Sequence, residues 1–175
     1  LFIEELTKEL LESGKLREGP DRYELVGAWP SHMVPTTLAA LLVSRLDRLG
    51  RAKEVAQLGA VIGRELSHEL LNAVCSWTES ELQGALDALV KSGLVFRRGT
   101  GATAVYSFKH ALVQDAAYET LPREPRRALH ARIAEALERR FPDVTETHPE
   151  MLAHHATEAG LVENAARLWG NAGLQ

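Results

Sequence analysis

The sequence predicts a mainly α-helical protein with a winged-helix domain at its centre, and three observations indicate this fold class. Apolar residues recur every three or four positions along most of the chain, which is the spacing of amphipathic helices. A complete helix-start signal lies at residues 77–82. Directly after the helix that this signal begins, the apolar period changes from 3.6 to 2, which is typical of a β-hairpin.

The composition is that of an ordinary globular protein: 175 residues, of which 45% are hydrophobic and 25% charged. No apolar run approaches the roughly 18–20 residues that span a bilayer, and no signal-peptide pattern opens the chain, so we expect a cytoplasmic protein without membrane partners. Its single cysteine, Cys75, excludes an internal disulfide. The chain begins at Leu1, without an initiator methionine, which suggests a piece of a longer protein.

Two helices joined by a connector are predicted for residues 1–50. Helical spacing predicts the first over residues 1–13, and residues 15–33, rich in Gly and Pro around a strand-like run at Tyr23 to Val26, form the connector. The second helix is expected over residues 36–49. Arg45, Asp47 and Arg48 are expected opposite an apolar stripe that either folds onto the winged helix or pairs with another copy. The stripe consists of Leu38, Leu41, Leu42, Leu46 and Leu49.

The central elements follow the order of a winged helix, which we place at about residues 51–109. A helix over 52–62 carries Gly59 on its apolar face, where a missing side chain permits close packing. A short extended piece comes next, and then Ser67 caps a second helix. The third helix begins at Thr78 with a capping box to Glu81 and a staple between Trp77 and Leu82. Gly93 ends it, and alternating residues on either side of a turn at 99–102 predict the two-stranded wing.

Helices are also predicted after the wing. Residues 111–121 form one, Pro122 and Pro125 interrupt it, and a longer helix runs to Pro142. Two Ala-rich helices, near 149–159 and 162–174, meet at Gly160 and resemble one tetratricopeptide-type unit.

No catalytic constellation is present in the sequence. The nearest approach to a phosphate-binding loop, Ser13-Gly14-Lys15, lacks the following hydroxyl residue and the preceding glycine. No nucleophile elbow surrounds any serine, and the carboxylate pairs lie on polar helical faces. We therefore expect a chain that is not an enzyme and assign no catalytic residue.

We assign no metal site from the sequence either. Adjacent histidines on a helix diverge by about 100°, so only His154 with Glu158, or His148 with His155, share a face. Ordinary helical surface or packing between helices is the simpler interpretation of these residues than a metal site.

DNA binding is the alternative function that any winged helix raises, because its third helix normally enters the major groove. The formal net charge of the chain is −4, and the wing offers one basic pair, Arg97 and Arg98. A helix of acidic character repels phosphate, so nucleic acid is disfavoured as a partner. The exposed residues expected on that helix are Glu79, Ser80, Gln83, Asp87 and Lys91.

His110 lies between the second wing strand and the following helix, where a side chain is aimed rigidly at a neighbouring domain. A histidine at this point also serves as a helix cap, so its position alone leaves both roles open.

Several stretches of the chain resemble a known family. They are Leu1–Leu6 (LFIEEL), Val34-Pro35 leading into Ser44–Leu49 (SRLDRL), Gly59–Arg64 (GAVIGR) and Phe108–Tyr118 (FKHALVQDAAY). They are similar to the region after the ATPase core in bacterial STAND-type signalling proteins. The closest subgroup joins a class III adenylate/guanylate cyclase domain to an AAA-like ATPase with tetratricopeptide-like repeats behind.

The resemblance implies three segments: residues 1–50 end the helical lid of the ATPase, 51–121 form its winged helix, and 122–175 begin the repeat region. The cyclase and the phosphate-binding loop would lie upstream. In STAND proteins a Met-His-Asp motif after the last wing strand places its His on the β-phosphate of ADP. Lys109-His110-Ala111 resembles that place, although Lys109 and Ala111 replace the Met and the Asp.

The resulting hypothesis is a non-catalytic regulatory module that transmits the nucleotide state of an upstream ATPase to partner-binding repeats in signal transduction. His110 would sense ADP or ATP only together with the upstream domain, and the chain itself would hold no cofactor. Its partners would be that ATPase and the downstream repeats in cis, with a protein effector. A DNA-binding fragment of a transcriptional regulator and a plain scaffold are the alternatives.

Overall fold

The computed structural model describes residues 2–19, 22–26 and 38–172. Within these residues the chain is mainly helical, with ten α-helices and two small antiparallel sheets of two and three strands. The predicted fold class is therefore confirmed. Among the helices described, none is both long enough and apolar enough to cross a membrane.

The first part of the chain contains helix α1 (Phe2–Glu12), strands β1 (Leu16–Glu18) and β2 (Tyr23–Leu25), and helix α2 (Leu38–Arg48). The two strands pair antiparallel, with Leu16 opposite Leu25. The sequence predicted one strand-like run here, and β1 is an additional partner for it. The rest of the predicted connector, with Gly27, Pro30, Val34 and Pro35, lies outside the described residues, as does Leu1.

The central elements occur in the order predicted for a winged helix. They are α3 (Ala52–Ile62), β3 (Glu65–Ser67), α4 (His68–Val74), α5 (Glu79–Lys91), β4 (Val95–Arg98) and β5 (Val105–Phe108). A short 3-10 turn at Gly101–Thr103 joins the last two strands. The three strands form one antiparallel sheet in the order β3-β5-β4, so β5 lies between the other two.

Local signals determine where the central helices begin. The Ser67 hydroxyl accepts a hydrogen bond from Leu70 N–H, which caps α4 as predicted. The Thr78 hydroxyl accepts from Glu81 N–H, and the Glu81 carboxylate accepts from Thr78 N–H, which confirms the capping box of α5. These bonds satisfy N–H groups that a helix start leaves without intrahelical acceptors.

Gly59 allows α3 to approach the sheet closely. A Cβ atom at this position would lie 2.7 Å from Leu66 Cδ1 and 3.5 Å from Phe108 Cζ. Leu66 belongs to β3 and Phe108 to β5. The close packing predicted for this glycine is therefore observed, and its partners belong to β3 and to β5, the strand that leads to His110.

Five helices follow the wing: α6 (Ala111–Glu119), α7 (Arg123–Arg140), α8 (Pro142–Thr147), α9 (Pro149–Glu158) and α10 (Val162–Ala172). Pro122 lies between α6 and α7, where the sequence predicted an interruption. Pro125, in contrast, does not break a helix. It occupies the first turn of α7, where the backbone N–H that proline lacks would have no intrahelical acceptor. Helix α8 was not predicted.

One buried apolar cluster runs from α2 to α9 and joins the three predicted segments. Leu42 and Leu46 of α2 are fully buried in it, together with Leu86 of α5 and Leu152 of α9. The apolar stripe of α2 therefore packs within the chain, against α3 and α6, which is the first of the two outcomes expected for it.

The sequence placed Arg45 on the exposed face of α2, and that prediction was wrong. Arg45 is 2% exposed, whereas Asp47 and Arg48 are exposed as expected. Its Nη2 donates a 2.6 Å hydrogen bond to the Ser92 carbonyl at the end of α5. The carboxyl end of a helix carries partial negative charge, which offsets part of the cost of burying the guanidinium. Burial lowers the pKa of Arg45.

Candidate functional site

His110 connects the wing to α6. It is the N-cap residue of α6, in an extended conformation with φ −141° and ψ 145°, and its side chain makes no capping hydrogen bond. Strand β5 leads into it, and α6 begins at the next residue. The sheet and the helix therefore fix the position of the imidazole from both sides.

The half-buried imidazole of His110 has one nitrogen without a partner. Its Nε2 is buried and makes no hydrogen bond with any residue that the structure describes. Buried polar atoms are nearly always hydrogen-bonded, because an unpaired one loses its contact with water without replacement. Five other buried side-chain atoms share this condition among the described residues, and a hydrogen-bonding ligand at His110 Nε2 would satisfy this one.

A depression of about 390 Å³ lies beside His110. Strands β3 and β5 and the first turns of α6 line it, with Arg64, Glu65, Ser107, Lys109 and Gln114 among its residues. The positive end of α6 opens onto the same region, and helix N-termini favour anions. Arg64 is exposed and forms no ion pair with the described residues.

Lys109 is already engaged by α1. Its Nζ lies 2.7 Å from Glu4 Oε1, while Lys8 contacts the same oxygen at 3.1 Å. The hydrogen bond from Lys109 is the main reason that the pKa of Glu4 falls to about 2, followed by that from Lys8. The same bond raises the pKa of Lys109. Lys109, the residue before His110, therefore connects this part of the chain to α1.

The surface that would read DNA carries its own counter-charges. Arg97 of the wing lies 3.6 Å from the Asp87 carboxylate of α5, and Arg98 lies 3.4 Å from the Glu65 carboxylate. Asp87 also accepts a 2.9 Å hydrogen bond from Gln83. Both basic side chains of the wing thus face carboxylates of the same domain, which reduces the positive potential that a phosphate backbone needs.

A second group of titratable residues lies between α7 and α9. His130 and His155 are each 1% exposed, and their Nδ1 atoms lie 2.9 Å apart. The exposed His154 completes the group: its ring centroid is 5.7 Å from that of His130 and 5.4 Å from that of His155. We call these three side chains the histidine cluster. Their ligand atoms all lie within 4.8 Å of one another.

Burial keeps the inner two imidazoles neutral. Burial, followed by the neighbouring histidines, lowers the pKa of His130 to about 4 and that of His155 to about 3. Glu158 acts in the opposite direction on His130. A neutral imidazole offers one donor and one acceptor, so a single proton shared between the two Nδ1 atoms satisfies both.

The sequence did not predict the histidine cluster, because helical spacing relates only residues that share a face of one helix. His154 and His155 do diverge around α9, but His130 approaches them from α7. A signal for His130 was present, since it precedes buried residues at helical spacing. Those residues are Ile133, Ala134 and Leu137.

No family model matches the chain. An uncharacterized protein of Rhizobium meliloti (strain 1021) is 34% identical to it over 177 residues, an alignment that covers 100% of the chain. The chain spans 17% of the length of that relative. The chain is thus similar to one segment of a much longer protein.

Proposed function

We propose that this chain is a non-catalytic regulatory module that couples the nucleotide state of an ATPase domain, located elsewhere in a longer protein, to partner-binding helices. The observation that carries the proposal is the buried Nε2 of His110, which has no partner among the described residues. An imidazole N–H donated to a diphosphate would satisfy that nitrogen and link the nucleotide to the winged helix.

The surroundings of His110 support an anionic partner. The N-terminus of α6 and the Arg64 side chain lie at the same depression, and both favour a phosphate group. The depression is open, and the chain offers no phosphate-binding loop of its own. The nucleotide would therefore be held chiefly by the ATPase domain, with His110 as one contact that distinguishes its states.

The packing supports transmission of movement as a body. The buried cluster is continuous from α2 through the winged helix to α9. Packed interiors have few alternative arrangements, so a displacement of the segment around His110 would carry the C-terminal helices with it. These helices, α9 and α10, are the part that we propose binds partners such as a protein effector.

The test is calorimetric titration of ADP and ATP into this chain and into a longer version that includes the expected ATPase domain. We expect only the longer protein to bind nucleotide. In that protein we expect His110→Ala to weaken the affinity for ADP at least tenfold, which corresponds to the loss of one charge-assisted hydrogen bond of about 1.4 kcal/mol or more. His148→Ala, which changes an exposed histidine between α8 and α9, is the matched control.

Two results would contradict the proposal. If His110→Ala leaves ADP affinity of the longer protein unchanged, the winged helix is a scaffold for the repeats. If this chain binds duplex DNA tightly in a mobility-shift assay, and salt weakens the complex steeply, the DNA-binding alternative replaces it. The ion pairs of Arg97 and Arg98 favour the nucleotide-coupling module over DNA binding, because both basic side chains already face carboxylates.

A further inference from the structure

We propose that His130, His154 and His155 form a binding site for a divalent transition-metal ion, and that Zn²⁺ is the ion that fits it best. The site is independent of His110 and of the proposed nucleotide response. It is carried by the convergence of three imidazoles from two helices, with their ligand atoms within 4.8 Å of one another.

The geometry is close to that of a three-histidine zinc site. Zn–N bonds of about 2.0–2.1 Å at tetrahedral angles place ligand nitrogens about 3.4 Å apart. The Nδ1 atoms of His130 and His155 are 2.9 Å apart, slightly closer than this, and the ring centroids of the three side chains are separated by 5.1–5.7 Å. Small ring rotations bring the nitrogens to coordination distance, and the exposed His154 has the room to move.

Two of the ligand nitrogens already face each other across one shared proton, with His130 Nδ1 2.9 Å from His155 Nδ1. Metal binding requires neutral imidazole, and histidines that ionise near pH 6.5 lose affinity as the pH falls. Burial already disfavours the charged forms of His130 and His155. At neutral pH the ion would therefore displace one proton, the proton that the two Nδ1 atoms share. That proton would move to the Nε2 atom of the ring that carried it.

A supporting contact orients His130. The Tyr118 hydroxyl lies 3.3 Å from His130 Nε2, on the side of the ring away from His155. With Nδ1 on the metal, Nε2–H donates to that hydroxyl, which is the arrangement that fixes a ligating imidazole in one tautomer. The Arg126 guanidinium lies 4.1 Å from the centre of the Tyr118 ring and donates to the Tyr118 carbonyl at 3.1 Å. Tyr118 is therefore itself held in place.

The charges nearby act in both directions. Arg126 opposes a cation and Glu158 favours one, as their opposite effects on the pKa of His130 show. Glu158 is exposed and follows His154 by one helical turn, so its carboxylate lies on the solvent side of the cluster. The ion would enter past His154 and Glu158, and water would complete its coordination.

Such an ion would fasten α9 to α7. The ligands His154 and His155 belong to the last helical pair, and His130 belongs to the helix that packs against the winged helix. One ion would join these elements, and by mass action it would stabilise the folded state by an amount that rises with the logarithm of the free Zn²⁺ concentration above the Kd. The helices α9 and α10 would then be held more firmly to α7 when the metal is present.

The experiment titrates Zn²⁺ into the 175-residue chain after treatment with a chelator, in competition with a chromophoric zinc indicator. We expect one ion per chain and a rise in the melting temperature with Zn²⁺. His154→Ala is the informative variant, because its side chain is exposed and its loss leaves the buried pair intact. We expect that variant to bind at least tenfold more weakly, the usual effect of losing part of a metal site.

His148→Ala is the matched control, since it removes an exposed histidine near α9 that lies outside the histidine cluster. It should bind Zn²⁺ like the unaltered chain. Nitrogen-detected NMR of the unaltered chain provides a second measurement that needs no variant. Stoichiometric Zn²⁺ should shift one ring nitrogen of each of the three histidines.

Three outcomes would overturn the proposal. The first is that the chain fails to bind one Zn²⁺ ion, and the second is that His154→Ala binds Zn²⁺ as tightly as the unaltered chain. The third is that the NMR shifts fall on other histidines. In each case the cluster is a hydrogen-bonded histidine pair that packs α7 against α9, with His154 beside it by proximity alone.

Discussion

At the scale of single residues, burial changes what a side chain does. The guanidinium of Arg45 and the imidazoles of His130 and His155 are removed from water almost completely. Arg45 remains tied to a backbone carbonyl at a helix end, and the two imidazoles share a proton. Each arrangement satisfies polar atoms that would otherwise be costly, and each connects two elements that are distant in the sequence.

Gly59 and Gly84 provide a matched pair of substitutions. Both lie inside helices, where alanine is favoured over glycine by about 0.8–1.0 kcal/mol. Gly59→Ala would place Cβ 2.7 Å from Leu66 Cδ1 in the core, whereas nothing lies within 4 Å of that point at Gly84. We expect Gly84→Ala to stabilise the protein by about 0.5–1 kcal/mol.

For Gly59→Ala, overpacking of about 1–3 kcal/mol exceeds the gain in helix propensity, so we expect a net destabilisation of about 1 kcal/mol. Urea unfolding of the two variants and the parent chain measures both effects. If both alanines stabilise the protein equally, α3 and the sheet are farther apart than the 2.7 Å between a Cβ at position 59 and Leu66 Cδ1 implies.

At the scale of elements, α5 depends on its first turn. The Thr78 hydroxyl and the Glu81 carboxylate satisfy each other's backbone N–H groups, and the second interaction lowers the pKa of Glu81. Arg51 adds a 3.1 Å ion pair to Glu81, and its guanidinium lies 4.3 Å from the centre of the Trp77 ring. The start of α5 is thereby connected to the start of α3.

Thr78→Ala should destabilise the protein by about 1 kcal/mol, because it removes the N-cap oxygen of α5. Ser80→Ala is the control: this exposed residue is two positions further on and supplies no cap, so its change should stay within about 0.5 kcal/mol. Thermal unfolding followed by circular dichroism distinguishes them. Equal effects of the two substitutions would mean that the capping box does not stabilise α5.

At the scale of the whole molecule, one core unites segments that the sequence treats as separate. The residues of α2, the central elements from α3 to β5, and α9 share a single buried cluster. Outside the core, α1 is connected to the end of the wing by Glu4 and Lys109, which are 105 positions apart. A chain held together in this way should move as one body around His110.

The Glu4 contact predicts a dependence of stability on pH. Its carboxyl has a pKa of about 2 in the folded protein, against 4.5 for the unperturbed group. The unfolded state therefore binds more protons between these values, and the stabilisation is complete above about pH 4.5 and lost as the pH falls toward 2. Glu4→Gln should destabilise the protein at neutral pH, and the difference should shrink below pH 4.5.

A double-mutant cycle with Lys109→Met tests the cause. Urea unfolding at several pH values gives the free energy of unfolding of each variant. In the Lys109→Met background, we expect Glu4→Gln to have a smaller effect and a weaker pH dependence. An unchanged effect in that background would mean that Lys109 is not the partner that lowers the pKa of Glu4.

The sequence alone determined much of the fold, because its signals are local. Helical periodicity located most helices, the residues Ser67, Thr78 and Glu81 marked two helix starts, and the change of period located the wing. It also placed His110 between β5 and α6. It did not determine that Pro125 lies inside a helix, since a proline that interrupts a helix and one in a first turn are alike in sequence.

Only the tertiary structure decided which polar residues are buried and which distant ones meet. The burial of Arg45 depends on the end of α5, 47 residues away, and the histidine cluster depends on the packing of α9 against α7. The unpartnered nitrogen of His110 likewise follows from the packing of the sheet and α6 around it. Periodicity reports which face of a helix is apolar, but the partner of that face is set by the long-range contacts that fold the chain.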